Sequence, residues 1–274
     1  MIMPVIHSTA IIHPQARVDA SAEVGPYAVI DAGVTLGPGC WLGPYVHLTG
    51  ETTIGANNRF HTGCIIGDAP QDLKYSGTPT RVRIGDGNVF RENVTVHRAT
   101  KPEGETTIGS GCFLMAGAHV GHNCDVADQV IIANGVCLGG HVTVHDRAFL
   151  SGNCLVHQFV RVGTLALMQG GSAISKDLAP FTISRRQNTV NGLNIIGLRR
   201  AGFTPAERLE LKELYHALFR SGLVFRAAVA AAQDKFHGAP SRTMLDFLSK
   251  STRGVVMEAK RPAAAGATPE DEED

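Results

Sequence analysis

Aliphatic residues recur at every sixth position along most of this chain. Starting at Ile12, the period runs without a break over residues 12–66, resumes over 84–96 and continues over 108–174. Of these 25 positions, 22 are Ile, Leu or Val. An α-helix repeats every 3.6 residues and cannot produce this spacing, whereas short strands that turn a corner every six residues can. The pattern therefore predicts a solenoid of stacked, strand-built coils.

Two further positions of the six-residue unit are restricted in size. The residue after the aliphatic is often glycine, which we expect at corners with unusual backbone angles. Four positions after the aliphatic stands a small residue, and we expect it to point inward with the aliphatic one. Five of the six cysteines occupy this place, which predicts reduced cysteines in the core. They are Cys40, Cys64, Cys112, Cys124 and Cys154.

The repeat is interrupted twice and ends at about residue 180. The interruptions at 68–83 and 101–106 should emerge as loops, since insertions in solenoids leave on one face, often the binding face. The solenoid is thus predicted over 1–180.

The remaining chain should contain a second unit over 181–261 and a tail. We expect an extended segment followed by a small helical domain. Its helices are predicted from a capping-box start at Thr204, Pro205 and Glu207 to a stop at Gly222, and then over 223–237 and 241–252. Residues 262–274 have no apolar periodicity and should form a disordered acidic tail.

Composition and charge narrow the classes of partner. No run of about 18 apolar residues is present, and the first 14 residues lack the continuous apolar stretch of a signal peptide. We therefore expect a cytoplasmic protein without stable membrane insertion. The net charge is zero, but residues 1–179 carry −3, residues 180–261 carry +8, and residues 270–274 are all acidic. The basic region predicts an acidic partner, although scattered solvated charges are the alternative. Aromatic residues are not interleaved with the basic ones, which disfavours nucleic acid.

Histidine is the natural acid or base near neutral pH, and the chain has 12. Residues 18 apart should lie one coil apart on the same side, about 4.8 Å from each other. His122, His141 and His157 belong to three stacked hexads, so we expect a column of imidazoles near one edge. The alternative is a polar corner that simply favours histidine. His119, His122 and Cys124 resemble a zinc set, but Cys124 should point inward, so we expect no metal.

The hexads and a set of local motifs resemble known families. The repeat resembles the hexapeptide-repeat family, whose members fold as a left-handed parallel β-helix with 18-residue, three-sided coils. Motifs from about Val5 to Gly254, in the same order, resemble the UDP-N-acetylglucosamine O-acyltransferases that begin lipid A synthesis. The motifs are Gln71-Asp72-Leu73-Lys74-Tyr75, Val96-His97-Arg98, Ala118-His119-Val120-Gly121-His122-Asn123-Cys124, Gly140-His141-Val142, Val156-His157-Gln158-Phe159, Gly192-Leu193-Asn194 and Ser251-Thr252-Arg253-Gly254.

This resemblance implies an activity and a set of residue roles. The chain would be a homotrimer without a cofactor that transfers a (3-hydroxy)acyl chain from acyl carrier protein to the 3-hydroxyl of UDP-N-acetylglucosamine. His122 would be the general base, and the backbone N–H of Gly140 the donor to the oxyanion. Substrate would contact Gln71, Asp72, Lys74, His119, His141, His157, Gln158, Asn194 and Arg200. Gly170, with Leu167 and Met168 nearby, would limit acyl length, and the acidic carrier protein would dock on Arg199, Arg220 and Arg253.

Three residues depart from the family's pattern and keep alternatives open. Asn123 stands where the family often has Asp, Ile196 replaces a Glu, and Ala201 replaces an Arg. An uncharged neighbour raises the pKa of a histidine less than a carboxylate does. An acyltransferase for the 3-amino sugar analogue is one alternative, and a non-catalytic solenoid that binds or scaffolds is another. A carbonic-anhydrase-like zinc protein is a third, weaker one.

Overall fold

The computed structural model describes residues 5–259, and most of them form a left-handed parallel β-helix. Each coil contributes three short strands, and strands one coil apart pair in parallel. Val120 pairs with Leu138, and Leu138 with Val156, which is the predicted spacing of 18 residues. The tail predicted at 262–274 lies outside the described residues.

Three sheets form the sides of the prism. The first, sheet A, contains Val5–Ile6, Glu23–Val24, Trp41–Leu42, Arg59–Phe60, Val89–Phe90, Phe113–Leu114, Ile131–Ile132, Phe149–Leu150 and Leu167–Met168. Sheet B contains Ile11–Ile12, Val29–Ile30, His47–Leu48, Ile65–Asp68, Thr95–His97, His119–Val120, Cys137–Leu138, Leu155–Val156 and Ala173–Ile174. Sheet C contains Arg17–Val18, Thr35–Leu36, Glu51–Ile54, Arg81–Ile84, Glu105–Ile108, Asp125–Val126, Thr143–Val144 and Arg161–Val162.

The core runs along the axis of the prism and is built from the aliphatic hexad positions. All of them from Val24 to Ile174 are buried, whereas Ile12 and Val18 are only half-buried because they belong to the first coil, which is covered on one side only. Full burial of a side chain of this size stabilises the fold by about 1.5–3 kcal/mol. The five cysteines expected inside are buried free thiols, and Cys137 is exposed.

The corner glycines are required by close stacking of the coils, so the expectation of unusual backbone angles is wrong for most of them. Gly25, Gly37 and Gly121 do not have a positive φ. A Cβ on any of the three would lie 2.5–2.7 Å from a carbonyl oxygen of the next coil. The left-handed residue comes two positions later, for example Asn123 with φ 59° and His141 with φ 61°.

Both interruptions emerge as loops, but the strands around them reach further than expected. Ile65–Asp68 and Arg81–Ile84 flank the first, so its irregular part is 69–80 rather than 68–83. Glu105–Ile108 starts inside the second. The reason is the ladder of sheet C, in which Arg81 pairs with both Glu51 and Glu105 and so extends the regular strands.

From the last coil to residue 259, the chain forms a hairpin, four helices and a short strand. The hairpin strands are Thr182–Arg185 and Thr189–Leu193, and they extend sheet A together with Met257–Glu258. The helices are α1 (Ile195–Arg200), α2 (Pro205–Phe219), α3 (Phe225–Gln233) and α4 (Ala239–Ser249). None of these helices is long and apolar enough to cross a membrane.

The helix starts explain where the sequence interpretation succeeded and where it missed. Thr204 and Glu207 form the expected capping box before α2. The six-residue α1, capped by Asn194, is too short for its apolar period to be recognised. The fourth helix starts two residues earlier than predicted because Pro240 fits the first turn of a helix.

Candidate active site

A cavity of about 590 Å³ opens on the outer side of sheet B. One part of it is polar and is lined by His97, His119, His122 and Gln71, the last of which comes from the first loop. The coils that follow add an apolar part, lined by Cys137, Leu138, Leu155, Val156, Ala173 and Ile174. The cavity therefore offers imidazoles for proton transfer beside a surface suited to a hydrocarbon chain.

His122 lies at a corner, and its ring is held by a neighbouring amide. The Nδ1 atom is 3.0 Å from Oδ1 of Asn123. The same Oδ1 accepts hydrogen bonds from the backbone N–H of Thr100 at 3.1 Å and from its hydroxyl at 3.0 Å. Nδ1 is thus already paired within the protein, and Nε2 is the ring nitrogen left for a substrate.

Gly140 lies directly against the His122 ring. A Cβ at this position would be 2.5 Å from Nε2 and 2.3 Å from Cε1 of His122, so a side chain has no room. No acceptor within residues 5–259 receives the N–H of Gly140. The same corner position holds Pro26 and Pro38 in earlier coils, and proline has no N–H, which is why the fold does not need one here. The free N–H of Gly140 is therefore available to an oxyanion beside the candidate base.

The imidazoles around His122 are kept neutral by burial. Burial lowers the pKa of His119 to about 4, and the nearby His97 and His122 act in the same direction. Burial also lowers the pKa values of His97 and His141. His119 is further held by a 2.8 Å hydrogen bond between its Nδ1 and the hydroxyl of Thr95.

The depressed pKa of His119 predicts a loss of stability in mild acid. The unfolded chain binds this proton near pH 6.5, but the folded chain resists it until about pH 4. The contribution of His119 to the free energy of unfolding is therefore fully present above pH 6.5 and is lost as the pH drops towards 4. Because the ring is partly exposed, we expect a contribution of about 1–2 kcal/mol, less than the full shift would give.

Denaturant unfolding at pH 7.5 and pH 4.5 measures this contribution. His119→Gln should show a smaller drop between the two pH values than the unchanged protein, by about 1–2 kcal/mol. His7→Gln, at an exposed position, is the matched control. Equal drops in the unchanged protein and in His119→Gln would contradict the prediction.

The expected column of three imidazoles is wrong in its third member. His122 and His141 pack edge to face with ring centroids 5.2 Å apart. The ring stacked on the other side of His141, at 4.5 Å, belongs to Phe159. His157 lies one residue after its aliphatic and His141 three after, so the two do not share a position in the coil. His157 and Gln158 still line the cavity, and Nδ1 of His157 is 3.2 Å from the Gln158 carbonyl oxygen.

Other residues expected to bind substrate lie outside the cavity lining of this single chain. Asp72 and Lys74 belong to the first loop, where Oδ1 of Asp72 accepts the backbone N–H of Lys74. Asn194 is buried, its Oδ1 accepts the N–H of Gly197 at the start of α1, and its Nδ2 donates to the Leu165 carbonyl oxygen. Arg200 is exposed at the end of α1. The binding roles of all four stay predictions.

The residues expected to limit acyl length and to dock the carrier protein also do not come together, and they range from the surface to the core. Gly170 is exposed, Leu167 is half-buried and Met168 belongs to the core. Arg199 is exposed on α1, and Arg220 pairs with Glu258 at 2.6 Å. Arg253 is the one that adjoins the cavity, with a guanidinium nitrogen 3.4 Å from Nδ1 of His157.

The residues considered for zinc do not assemble as a ligand set. Cys124 is buried, and its thiol donates to the Gly139 carbonyl oxygen at 3.1 Å. Within residues 5–259, no three His, Cys, Asp or Glu side chains are arranged to hold a metal ion.

Several residues that line the cavity were not assigned to the site from the sequence, among them His97, Cys137 and Leu155. His97 is only 7% exposed and packs edge to face on His119 at 4.9 Å. Cys137 and Leu155 follow His119 in strand register on the outer face of sheet B. The signal for the last two was present, because Cys137 and Leu155 stand at the outward hexad position one and two coils after His119.

Known proteins resemble this chain in sequence and in fold. A family model described as UDP N-acetylglucosamine O-acyltransferase, domain 2, matches residues 177–256, and a bacterial transferase hexapeptide model matches 33–68 and 105–140. The acyl-[acyl-carrier-protein]–UDP-N-acetylglucosamine O-acyltransferase of Halorhodospira halophila is 41% identical over 254 residues, covering 92% of this chain and 98% of that protein. The enzyme of the same name from Gloeothece citriformis is 44% identical over 208 residues, covering 76% and 75%.

Solved structures agree with these relatives. The UDP-N-acetylglucosamine acyltransferase of Francisella novicida superposes with a TM-score of 0.90 at 34% identity, covering 97% of this chain and 100% of that chain. The Arabidopsis UDP-N-acetylglucosamine acyltransferase gives a TM-score of 0.81 at 32% identity, covering 92% and 99%.

Proposed function

The chain belongs to the family of acyl-[acyl-carrier-protein]–UDP-N-acetylglucosamine O-acyltransferases, and we propose that His122 and Gly140 perform its acyl transfer. The enzyme moves an acyl chain from acyl carrier protein to UDP-N-acetylglucosamine. The observation that carries the mechanism is the His122 ring packed against the Gly140 backbone. The relatives are O-acyltransferases, which supports a sugar hydroxyl as acceptor over an amine and an enzyme over a scaffold.

The first step is removal of a proton from the sugar. Nε2 of His122 accepts the proton of the 3-hydroxyl as that oxygen attacks the carbonyl carbon of the acyl thioester. His122 must be neutral to accept this proton. The surrounding histidines are neutral as well, so they do not repel the positive charge that His122 gains. No group on the enzyme becomes acylated.

The second step is collapse of the tetrahedral intermediate. The former carbonyl oxygen now carries the negative charge and accepts a hydrogen bond from the N–H of Gly140, which has no partner within the described chain. The carbon–sulfur bond then breaks, and the carrier's thiolate leaves with the proton held by His122. The imidazole returns to its neutral state, and the product is an ester on the sugar.

The two parts of the cavity support an orientation for the substrates. The sugar belongs at the polar part beside Gln71, His119 and His122. The acyl chain belongs along the outer face of sheet B, where Leu155 is 52% exposed and continues the row from Cys137 to Ala173. Burying this row under a hydrocarbon chain gains about 25 cal/mol per Å² of apolar surface.

The carrier protein belongs at the end of this apolar row. Arg253 supports docking there, because its Nε lies 3.4 Å from the carbonyl oxygen of Ser175, just beyond Ala173. Arg199 is an exposed second positive charge. Arg220 supports docking less, since Glu258 already pairs with its guanidinium.

Acyl transfer with purified components tests the function. The protein is mixed with UDP-N-acetylglucosamine and hydroxyacyl carrier proteins of several chain lengths, and an acylated sugar nucleotide is the expected product. An O-acyl ester is cleaved by mild base, whereas an amide resists. Absence of transfer with every donor would overturn the function, and transfer only when the 3-amino analogue replaces UDP-N-acetylglucosamine would indicate an amine acceptor.

We also propose that the enzyme is a homotrimer in which a neighbouring copy covers part of this site. On sheet A the outward positions of five successive coils are apolar: Val89, Phe113, Ile131, Phe149 and Leu167. Sheet C carries polar or charged residues at its outward positions: Arg83, Thr107, Asp125, Thr143 and Arg161. A continuous apolar row of this kind is typical of a contact surface. Leu73, fully exposed on the first loop, supports the same conclusion.

A charge on the apolar row of sheet A should separate the copies. Phe149→Glu is expected to convert trimers to monomers in sedimentation, because three carboxylates would be buried at the interface. Acyl transfer should fall at least tenfold. Thr143→Glu, placed on the preceding strand in sheet C, is the matched control and should leave the mass unchanged. A stable monomer for the unchanged protein, or a trimer for Phe149→Glu, would contradict the proposal.

A further inference from the structure

We propose that Asn123 and Thr100 are positioning residues that hold neutral His122 as the tautomer with its proton on Nδ1, which leaves Nε2 free as the base. The inference rests on the proposed role of His122 in acyl transfer. Asn123 is uncharged where the family often has Asp, so the chain must achieve this orientation without a carboxylate.

The hydrogen bonds around the Asn123 amide determine where its oxygen lies. The backbone N–H of Thr100 is 3.1 Å from one end of the amide, and a backbone N–H can only donate. That end must therefore be the oxygen, because the NH₂ group would meet this donor with another donor. The Thr100 hydroxyl, 3.0 Å from the same atom, completes the pair.

The orientation of the amide determines the proton position on His122. The oxygen of Asn123 lies 3.0 Å from Nδ1 of His122, and an amide oxygen can only accept. Nδ1 must then carry the proton, and a neutral imidazole has only one. Nε2 is left with its lone pair on the side of the ring that contacts Gly140.

The second loop makes this arrangement rigid. Thr100 lies in that loop, and the hydroxyl of Thr106, in the strand Glu105–Ile108 that follows it, accepts the backbone N–H of Asn123 at 2.8 Å. Asn123 has φ 59°, a left-handed conformation that asparagine tolerates better than most residues. The interruption of the repeat thus holds the residue that orients the base.

Several titratable groups surround His122, and they show how its setting differs from one with a carboxylate beside Nδ1. His97 adjoins it from the preceding coil, His119 from its own coil and His141 from the following one. Lys101 and Asp72, from the two loops, act on His141, and Asp68 acts on His97. The partner of Nδ1 itself is neutral. A carboxylate there would stabilise the imidazolium form of His122 more than the neutral amide does.

The pH dependence of kcat/KM tests the inference with two variants of Asn123. Asn123→Asp keeps the acceptor and adds a charge, so the acid limb should move up by about one pH unit, while kcat on the plateau stays within a few-fold. Asn123→Leu keeps the size but removes the acceptor, and kcat should fall about 10- to 100-fold with the KM for UDP-N-acetylglucosamine unchanged within twofold. Thermal melting of both variants checks that each is folded.

A spectroscopic measurement reads the tautomer directly. In enzyme labelled with ¹⁵N-histidine, the signals absent from His122→Gln belong to His122, and they should show a protonated Nδ1 and a bare Nε2. A proton on Nε2 would overturn the inference, and so would Asn123→Leu with the kcat and pH profile of the unchanged enzyme. Full activity of His122→Gln would instead overturn the proposed function, so the two failures are distinguishable.

Discussion

His122→Ala is expected to lower kcat for acyl transfer by about 100- to 10,000-fold, the range that a positioned general base contributes. The variant loses Nε2, the ring nitrogen that lies against Gly140 and has no partner within the described residues. The sugar hydroxyl must then attack without a proton acceptor. Binding of UDP-N-acetylglucosamine should change little, because the remaining polar residues of the cavity are retained.

Steady-state rates and nucleotide affinity, measured on the same preparations, separate these effects. His13→Ala, an exposed histidine in the first coil, is the control and should keep full activity. Added imidazole should restore part of the rate of His122→Ala, since it supplies the missing base. Full activity of His122→Ala without imidazole would refute the proposed mechanism.

Gly140→Ala is expected to lower kcat by about 100- to 1,000-fold although it adds a single methyl group. Its Cβ would lie 2.3–2.9 Å from three atoms of the His122 ring, so the ring must move. A displacement of about 1 Å from the reacting atoms can cost 100-fold in rate. The backbone N–H is still present, and the φ of Gly140 is not positive, so the variant should fold.

The matched control for this substitution is Gly152→Ala. A Cβ at Gly152 would meet only the Asn134 carbonyl oxygen, at 3.5 Å, which is an ordinary contact. Both variants should melt within a few degrees of the unchanged enzyme, while only Gly140→Ala loses activity. Unchanged kcat in Gly140→Ala would show that the His122 ring does not need its present place.

The solenoid could be predicted closely because its rule is local and repeated. The aliphatic position of each hexad points inward in every coil from Val24 onward, and strands pair 18 residues apart. Every coil repeats the same stacking, so a shift of the six-residue register by one position would turn the aliphatic side chains of many coils away from the core. The helical unit was predicted less precisely, because α1 has only six residues and is too short for a helical period to be recognised.

The site was predicted in part. His119, His122, Gly140, Gln71 and His157 line one cavity, as motif resemblance suggested. The six-residue period predicts which side of the prism a residue lies on. Which ring it contacts depends on its exact place at the corner, and for this reason His157 was wrongly expected to stack on His141. Asn194 has its amide engaged in capping α1, a contact that depends on where the hairpin returns.

The sequence by itself determined the coil architecture, the family and the identity of the candidate base, because a six-residue period and ordered motifs are properties of the chain alone. Only the tertiary structure decided which nitrogen of His122 is free. That choice depends on the amide of Asn123 meeting the backbone of Thr100, 23 residues earlier in the chain. Such contacts are made by loops returning to the prism, and no local pattern records where a loop returns.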